Sequence, residues 1–326
     1  MVNKNKPKLT VAVRIHNIQC IEFLDELLFT LSANKISEQI VVLFCLQRLN
    51  IEDEIKPLCS KYELACQFLH TEAPGDQRSA LMKRAIQECH TKYFSFLDYD
   101  DIPSLQGYHK SISILESSPE LVATLGRIDA YTATWQNHSR LITGKKNTYY
   151  TPLLHDYLFT NPFPIHACVL KLEQKKECIA NYVDEKLSRL EDYWFFLNLV
   201  TNQPCEILPK EILMGNYFLY DDEDLNTPID MEWKAAREKI KEKLTQLFLK
   251  YIENQEYTKL PDKTYRRFFR KLRKKPAWKM TTTNLRVRLT LRYLASLTTS
   301  PLITKASNRL CSSAKHSNCH AHFSVK

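Results

Sequence analysis

Tyr93-Phe94-Ser95-Phe96-Leu97-Asp98-Tyr99-Asp100-Asp101 decides how this chain is read: an apolar run that ends in three carboxylates within four residues. Its aromatic-rich first half predicts a buried strand. Carboxylates this close repel one another and raise each other's pKa unless a cation or a ring of donors compensates. Oxygen ligands on a short, sharply turned segment suit a hard divalent ion such as Mg²⁺ or Mn²⁺. The plainer alternative is a strand end in which Asp101 caps a helix starting near Pro103.

Upstream, strand and helix signals alternate at short intervals. Leu9 to Ile15 reads as a strand, and Ile21 to Leu31 has apolar residues at helical spacing. Ile40 to Leu46 is a continuous apolar run of the kind a strand covered on both faces shows. Helices are expected over 51–59 and 76–89, with a strand over 64–69 between them. Such alternation argues for an open α/β sheet, in which ligands bind outside the carboxyl ends of the strands. The acids at 98, 100 and 101 fall on that edge.

Downstream, a helix is expected from Pro103 to about Glu116, a strand over 121–133, and another over 166–172. The segment 144–164 is rich in Tyr, Thr, Asn and Pro and reads as a substrate-side loop or an irregular connection. Residues 207–220 read as mixed, and Met231 to Ile252 as a long amphipathic helix dense in Lys and Glu. A second acidic site, Glu191-Asp192, opens an aromatic helix. Helix dipoles favour carboxylates there, so capping is its plain reading. A carboxylate ionised near neutral pH is also a suitable base for a hydroxyl attacking an activated sugar carbon.

Composition narrows the field. The chain has 326 residues, 44% of them hydrophobic and 25% charged, enough for a sizeable core and otherwise ordinary. Only five glycines occur, none clustered, which excludes a Rossmann fingerprint and a Walker A loop. Any nucleotide phosphates must therefore be held by a metal and side chains. The ten cysteines are scattered, several in apolar runs, and suit buried thiols in a reducing compartment. The N-terminus is polar and basic, and no window approaches the roughly 18 apolar residues that span a bilayer. A cytoplasmic location is expected, peripheral on the cytoplasmic face of a membrane.

The net charge of +9 is concentrated. Lys263 to Arg292 holds twelve basic residues and no acidic one, interleaved with aromatic and aliphatic side chains. This pattern fits an anionic membrane surface; nucleic acid is the rival partner and the less favoured one. Cys311, His316, Cys319, His320 and His322 have the chemistry of zinc ligands but no common spacing, so a poorly ordered tail is expected there.

The two acidic sites together resemble family 2 glycosyltransferases of the GT-A fold. The family's Tyr-x-x-Phe-Leu-Asp-x-Asp-Asp is matched by Tyr93 to Asp101. Its later Asp-Glu-x-Leu-x-x-x-Glu-Asp is matched by Asp184-Glu185-Lys186-Leu187-Ser188-Arg189-Leu190-Glu191-Asp192. The resemblance covers roughly residues 9 to 220. It implies a Rossmann-like, mixed but mostly parallel sheet flanked by helices over 1–225, followed by a basic helical extension (226–300) and a tail (301–326). It implies a transferase of the hexosyltransferase class that moves sugar from a nucleotide-diphospho-sugar to a glycan, lipid-linked or protein acceptor, with inversion. Asp98 and Asp100 correspond to the DxD pair, Asp100 as the direct ligand of Mn²⁺ or Mg²⁺ and Asp98 nearer the ribose or the metal's outer sphere. Asp192 corresponds to the base, with Glu191 orienting acceptor or base. Lys83 and His16 fall on donor-binding positions, and His166 lies by a strand end.

The chain departs from the pattern at three places. Ile15-His16-Asn17 stands for a Pro-Thr-Tyr-Asn turn, Phe44-Cys45-Leu46-Gln47 for a strand ending in a base-reading acid, and Leu81-Met82-Lys83 for Ala-Arg-Asn. These leave a second reading open, a catalytically degenerate GT-A-shaped binding or scaffold protein at a membrane surface. A haloacid-dehalogenase-like phosphatase, with Asp98 as nucleophile, is disfavoured by the motif's distance from the N-terminus.

Overall fold

The computed structural model describes residues 7–15, 21–152, 156–157, 160–220 and 231–253, all within the compact unit Met1–Leu260. His16, the basic stretch 263–292 and the Cys/His-rich tail lie outside the described residues.

The strand–helix alternation builds a seven-stranded sheet. Four parallel strands form its centre and one side: β1 (Leu9–Ile15), β2 (Ile40–Gln47), β3 (Ala65–Thr71) and β4 (Tyr93–Asp98). Helices α1 (Ile21–Ser32), α2 (Glu52–Lys61) and α3 (Arg78–Glu88) connect them. A two-residue strand β5 (Ile102–Pro103) and α4 (Gly107–Ser117) follow. The full order is β10-β6-β9-β4-β1-β2-β3, completed by β6 (Ala123–Leu125), β9 (Cys168–Lys171) and β10 (Cys205–Ile207). Only β9 runs against its neighbours, so the sheet is mixed but mostly parallel. Every residue of β1 is buried, as expected of a central strand covered on both faces.

A second sheet, ordered β5-β11-β7-β8, contains β7 (Arg127–Gln136), β8 (Ser139–Tyr149) and β11 (Leu213–Tyr220). Much of it departs from the sequence reading. The expected strand over 121–133 is two strands in different sheets, parted at Gly126. The expected loop begins with a strand, because Asn137 (φ 50°) and His138 (φ 58°) form a tight hairpin turn. Two consecutive left-handed residues match the right-handed twist of paired strands. Asn is at ease in that region and His tolerates it, so the turn forms without the Gly that marks most such hairpins.

Short α5 (Lys176–Ala180) precedes α6 (Glu191–Asn202), whose Phe195, Phe196, Leu197 and Leu199 are buried. Phe195 meets Phe96 of β4 edge-on at 6.1 Å, which docks the helix beneath the sheet's central strands. Helix α7 (Met231–Glu253) buries Ala236 and Ile240, and its Lys239 bonds Asp184. No helix among the described residues is long and apolar enough to cross a membrane.

Candidate active site

The carboxyl edge of the sheet gathers the acids, and a single cation joins them. Arg14, next to last in β1, is in register with Asp98 at the end of β4. Its Nε and Nη2 donate to the two Asp98 carboxylate oxygens at 2.6 and 2.7 Å, and Nη1 donates to Glu191 Oε1 at 3.0 Å. The Arg14 and Glu191 side chains are 8% and 6% exposed, that of Asp98 28%. Burial opposes the guanidinium charge, but Asp98, then Glu191 and Asp192, outweigh it and hold its pKa above the ordinary value. Two acidic motifs 93 residues apart in sequence thus share one counter-ion.

The start of α6 is set by an unusual backbone. Leu190 sits at φ 59°, ψ 25°, a left-handed conformation that costs a bulky residue about 1–2 kcal/mol. Its carbonyl accepts the Trp194 N–H, so the helix opens there and carries Glu191 and Asp192 in its first turn. Asp192 Oδ1 accepts the Tyr193 N–H at 2.6 Å, and Oδ2 accepts Asn161 Nδ2 at 2.8 Å. Burial, then the neighbouring Glu191 charge, push the Asp192 pKa up to about 6.

Asp100 lies on the turn after β4. Burial, then the charges of Asp101 and Asp98, raise its pKa well above the ordinary aspartate value. The turn is gripped from the side by Arg140 of β8. Arg140 Nη1 donates to the Asp100 carbonyl at 2.7 Å, Nε donates to Glu26 at 3.0 Å, and the guanidinium covers the Phe218 ring at 3.7 Å.

Asp101 does not cap a helix. It is fully buried, accepts the Phe218 N–H at 3.1 Å, and has His166 Nδ1 3.1 Å from Oδ2. Helix α4 begins only at Gly107, whose N–H is taken by Ser104 Oγ. His166, 1% exposed in its side chain, therefore braces the back of the turn. Gly215 completes this support: a Cβ there would stand 2.7 Å from the Ile102 carbonyl oxygen, so only glycine lets β11 pair with β5.

A ring of basic residues joins the start of α3 to the segment before α6. Arg78 and Arg189 converge on Asp76 at 2.6 and 2.8 Å, and Arg78 also donates to the Ser188 carbonyl. Against the penalty of burial, Arg78 and then Arg189 hold the Asp76 pKa below its usual value. Lys83 meets Glu185 at 2.5 Å, so its charge is already matched. At the end of β2, Gln47 uses both ends of its amide on the neighbouring loop, donating to the Gly75 carbonyl and accepting the Gln77 N–H. Arg48 holds the same loop through the Ala73 and Gly75 carbonyls.

Of the residues singled out in the sequence, Asp98 and Glu191 are brought together, with Asp100 and Asp192 beside them in the chain. Arg14, Arg140 and Asn161 were not foreseen. Arg14 had a signal: one charge inside the apolar run Val11-Ala12-Val13-Arg14-Ile15. Among the described residues no three His, Cys, Asp or Glu side chains are grouped to hold a metal unaided. Asp98 has both oxygens on Arg14, which leaves it poorly suited to direct ligation. Asp100 fits a cation better, since a positive charge there offsets the burial and the neighbouring carboxylates that oppose its ionised form. A magnesium-type ion needs only one or two protein carboxylates when substrate phosphates and waters fill its shell.

No protein-family profile matches the chain, and no curated protein sequence matches it. Solved structures do. Residues 1–349 of TarS from S. aureus in complex with UDP-GlcNAc superpose with a TM-score of 0.51 at 14% identity, over 68% of this chain and 62% of that one. The mannosyltransferase PcManGT from Pyrobaculum calidifontis, in complex with GDP-Man and Mn²⁺, gives a TM-score of 0.46 at 13% identity, over 65% and 56%. The chain thus spans about three-fifths of the TarS fragment it resembles. With the sheet order, the crossover helices and the acidic edge already in place, the likeness to TarS shows that this chain has the GT-A fold of nucleotide-sugar transferases.

Proposed function

We propose that the protein is a glycosyltransferase that moves a sugar from a nucleotide-diphospho-sugar donor to an acceptor hydroxyl by inverting, single displacement. The observation that carries this reading is the meeting of the Asp98 and Glu191-Asp192 motifs at one sheet edge through Arg14. Asp192 is the base: raised to about 6, it is ionised near neutral pH and basic enough to take a hydroxyl proton. Glu191, fixed on Arg14, holds the first turn of α6 so that Asp192 is presented at a constant height above the sheet.

Charge supports a metal-dependent donor site. Arg14, Arg78, Arg189 and Lys83 are all matched by carboxylates. A donor diphosphate adds negative charge beside the already crowded Asp100. A divalent ion, Mn²⁺ or Mg²⁺, held by Asp100 with Asp98 behind it, would offset both and act as Lewis acid toward the departing diphosphate. Lys83, through Glu185, keeps the approach to the first turn of α6 in place. The acceptor is a glycan, lipid-linked or protein hydroxyl, and a membrane-borne acceptor gives the basic stretch 263–292 a role at an anionic surface.

The test is calorimetry of nucleoside diphosphates with Mn²⁺ on the wild type and on Asp100→Ala. Metal-dependent binding that falls at least tenfold in the variant is expected. A folded wild type that binds no diphosphate, with or without metal, would turn the reading to the degenerate scaffold, which the engagement of Gln47 by its own loop favours.

A further inference from the structure

The strap of chain over α6 contains a polar side chain bonded to the acidic site. Tyr157 is fully buried, and its carbonyl accepts the Tyr193 hydroxyl at 2.6 Å. Phe163, 1% exposed, packs against Tyr157 at 6.0 Å. Between these anchors runs Asn161-Pro162. A residue before proline is confined to extended backbone, so Asn161 is presented with little freedom. Its Nδ2 donates to Asp192 Oδ2 at 2.8 Å, while its Oδ1 is buried and has no hydrogen-bond partner among the described residues. A buried acceptor left unpaired is a cost that native proteins rarely keep without reason. Among the described residues, Asp192 is the side-chain partner that orients this amide.

We propose that Asn161 is the positioning residue of Asp192: its amide fixes the plane of that carboxylate and makes the 160–164 strap part of the acceptor-side machinery. This inference rests on the assignment of Asp192 as the base. With Oδ1 on the Tyr193 N–H and Oδ2 on Asn161, each carboxylate oxygen has one fixed donor and keeps a lone pair for the incoming hydroxyl. The other groups that act on Asp192 are Glu191, which opposes its charge, and Arg14, which favours it; the Tyr157 hydroxyl feels its field in turn. Among the described residues, Asn161 is the side chain that both favours the charged form and bonds it directly.

The test is a carbon-13 titration of aspartate carboxyls in the full chain, with Asp192 assigned by its absence in Asp192→Asn. Asn161→Leu and Asn161→Ala are compared with the wild type, alongside urea denaturation. Loss of the amide should raise the Asp192 midpoint by about one pH unit, a tenfold change in proton affinity. Below the Asp192 midpoint, where that carboxyl is protonated, stability should stay level or rise in Asn161→Leu, since the unpaired oxygen is removed; above it, stability should fall as the midpoint shift requires. In an active preparation, the acid limb of the kcat profile should move by the same amount while donor KM stays put. A midpoint that moves less than about 0.3 unit, or collapse of the fold in both variants, overturns the proposal. Absence of diphosphate binding by the wild type would sink the transferase reading instead and leave the Asn161–Asp192 result standing.

Discussion

Replacing Arg14 with Met isolates what the shared cation contributes. The side chain has similar length and no charge, so packing in β1 is largely kept while three charge-assisted hydrogen bonds vanish. Removing one partner of a buried ion pair costs about 3–5 kcal/mol, most of it from the charge left behind. Glu191 is nearly fully buried and keeps only the more distant Arg78 guanidinium at 3.9 Å, so it bears most of that cost; Asp98 is more than a quarter exposed and recovers part of its hydration. The lower end, about 3 kcal/mol, is therefore expected, which lowers Tm by roughly 6–12 °C in a domain this size. Urea denaturation of the wild type, Arg14→Met, Glu191→Gln and the double variant gives the coupling. Glu191→Gln should recover about 1–2 kcal/mol in the Met background, because it removes the stranded charge. A single-variant loss below about 1 kcal/mol, or no recovery in the double variant, would refute the claim that Arg14 is the shared counter-ion of both motifs.

Two further predictions come from other parts of the site. The folded state raises the Asp192 pKa to about 6 from an unfolded value near 3.8, so the fold prefers the protonated form. Stability is then lost as pH rises from about 4 to about 6, by at most ~2–3 kcal/mol. Asp192→Asn should flatten that slope in denaturation curves between pH 4 and 7, with loss of transfer; an unchanged slope rules out Asp192 as its source. Gly215→Ala forces a Cβ against the Ile102 carbonyl and should cost about 1–3 kcal/mol, with weaker Mn²⁺-dependent nucleotide binding because β5 follows the Asp100 turn. A variant as stable as the wild type would show that β5 yields without strain.

The central sheet was legible because its strands are nearly pure apolar runs separated by helical periodicity, and such patterns are local. The second sheet was less so, for two physical reasons. The 137–138 turn uses Asn-His where glycine is the usual sign, and β8 is an edge strand with no buried residue, so burial wrote little into its sequence. Within the site, Asp98, Asp100, Glu191 and Asp192 stood out because acids next to apolar runs are costly without purpose. Asp101 belongs to the same cluster yet has a structural part, bonding Phe218 and facing His166, which only the fold reveals. Arg14, Arg140 and Asn161 act through partners 84, 40 and 31 residues away, separations at which no local pattern links them.

The position of Arg14 also bears on how the chain reaches its fold. Its strand lies inside the sheet, between β4 and β2, yet the charge it carries is met by residues 84 and 177 positions later. While the protein is being synthesised, the first three strands emerge long before Glu191 does. A nascent chain that closes its sheet early must bury a guanidinium that lacks one of its carboxylates. Pairings at such long separation are entropically slow to form. Completion of the sheet and assembly of the acidic site are thereby coupled, and a chain truncated before α6 keeps the Arg14–Asp98 pair but leaves Arg14 Nη1 without its Glu191 acceptor.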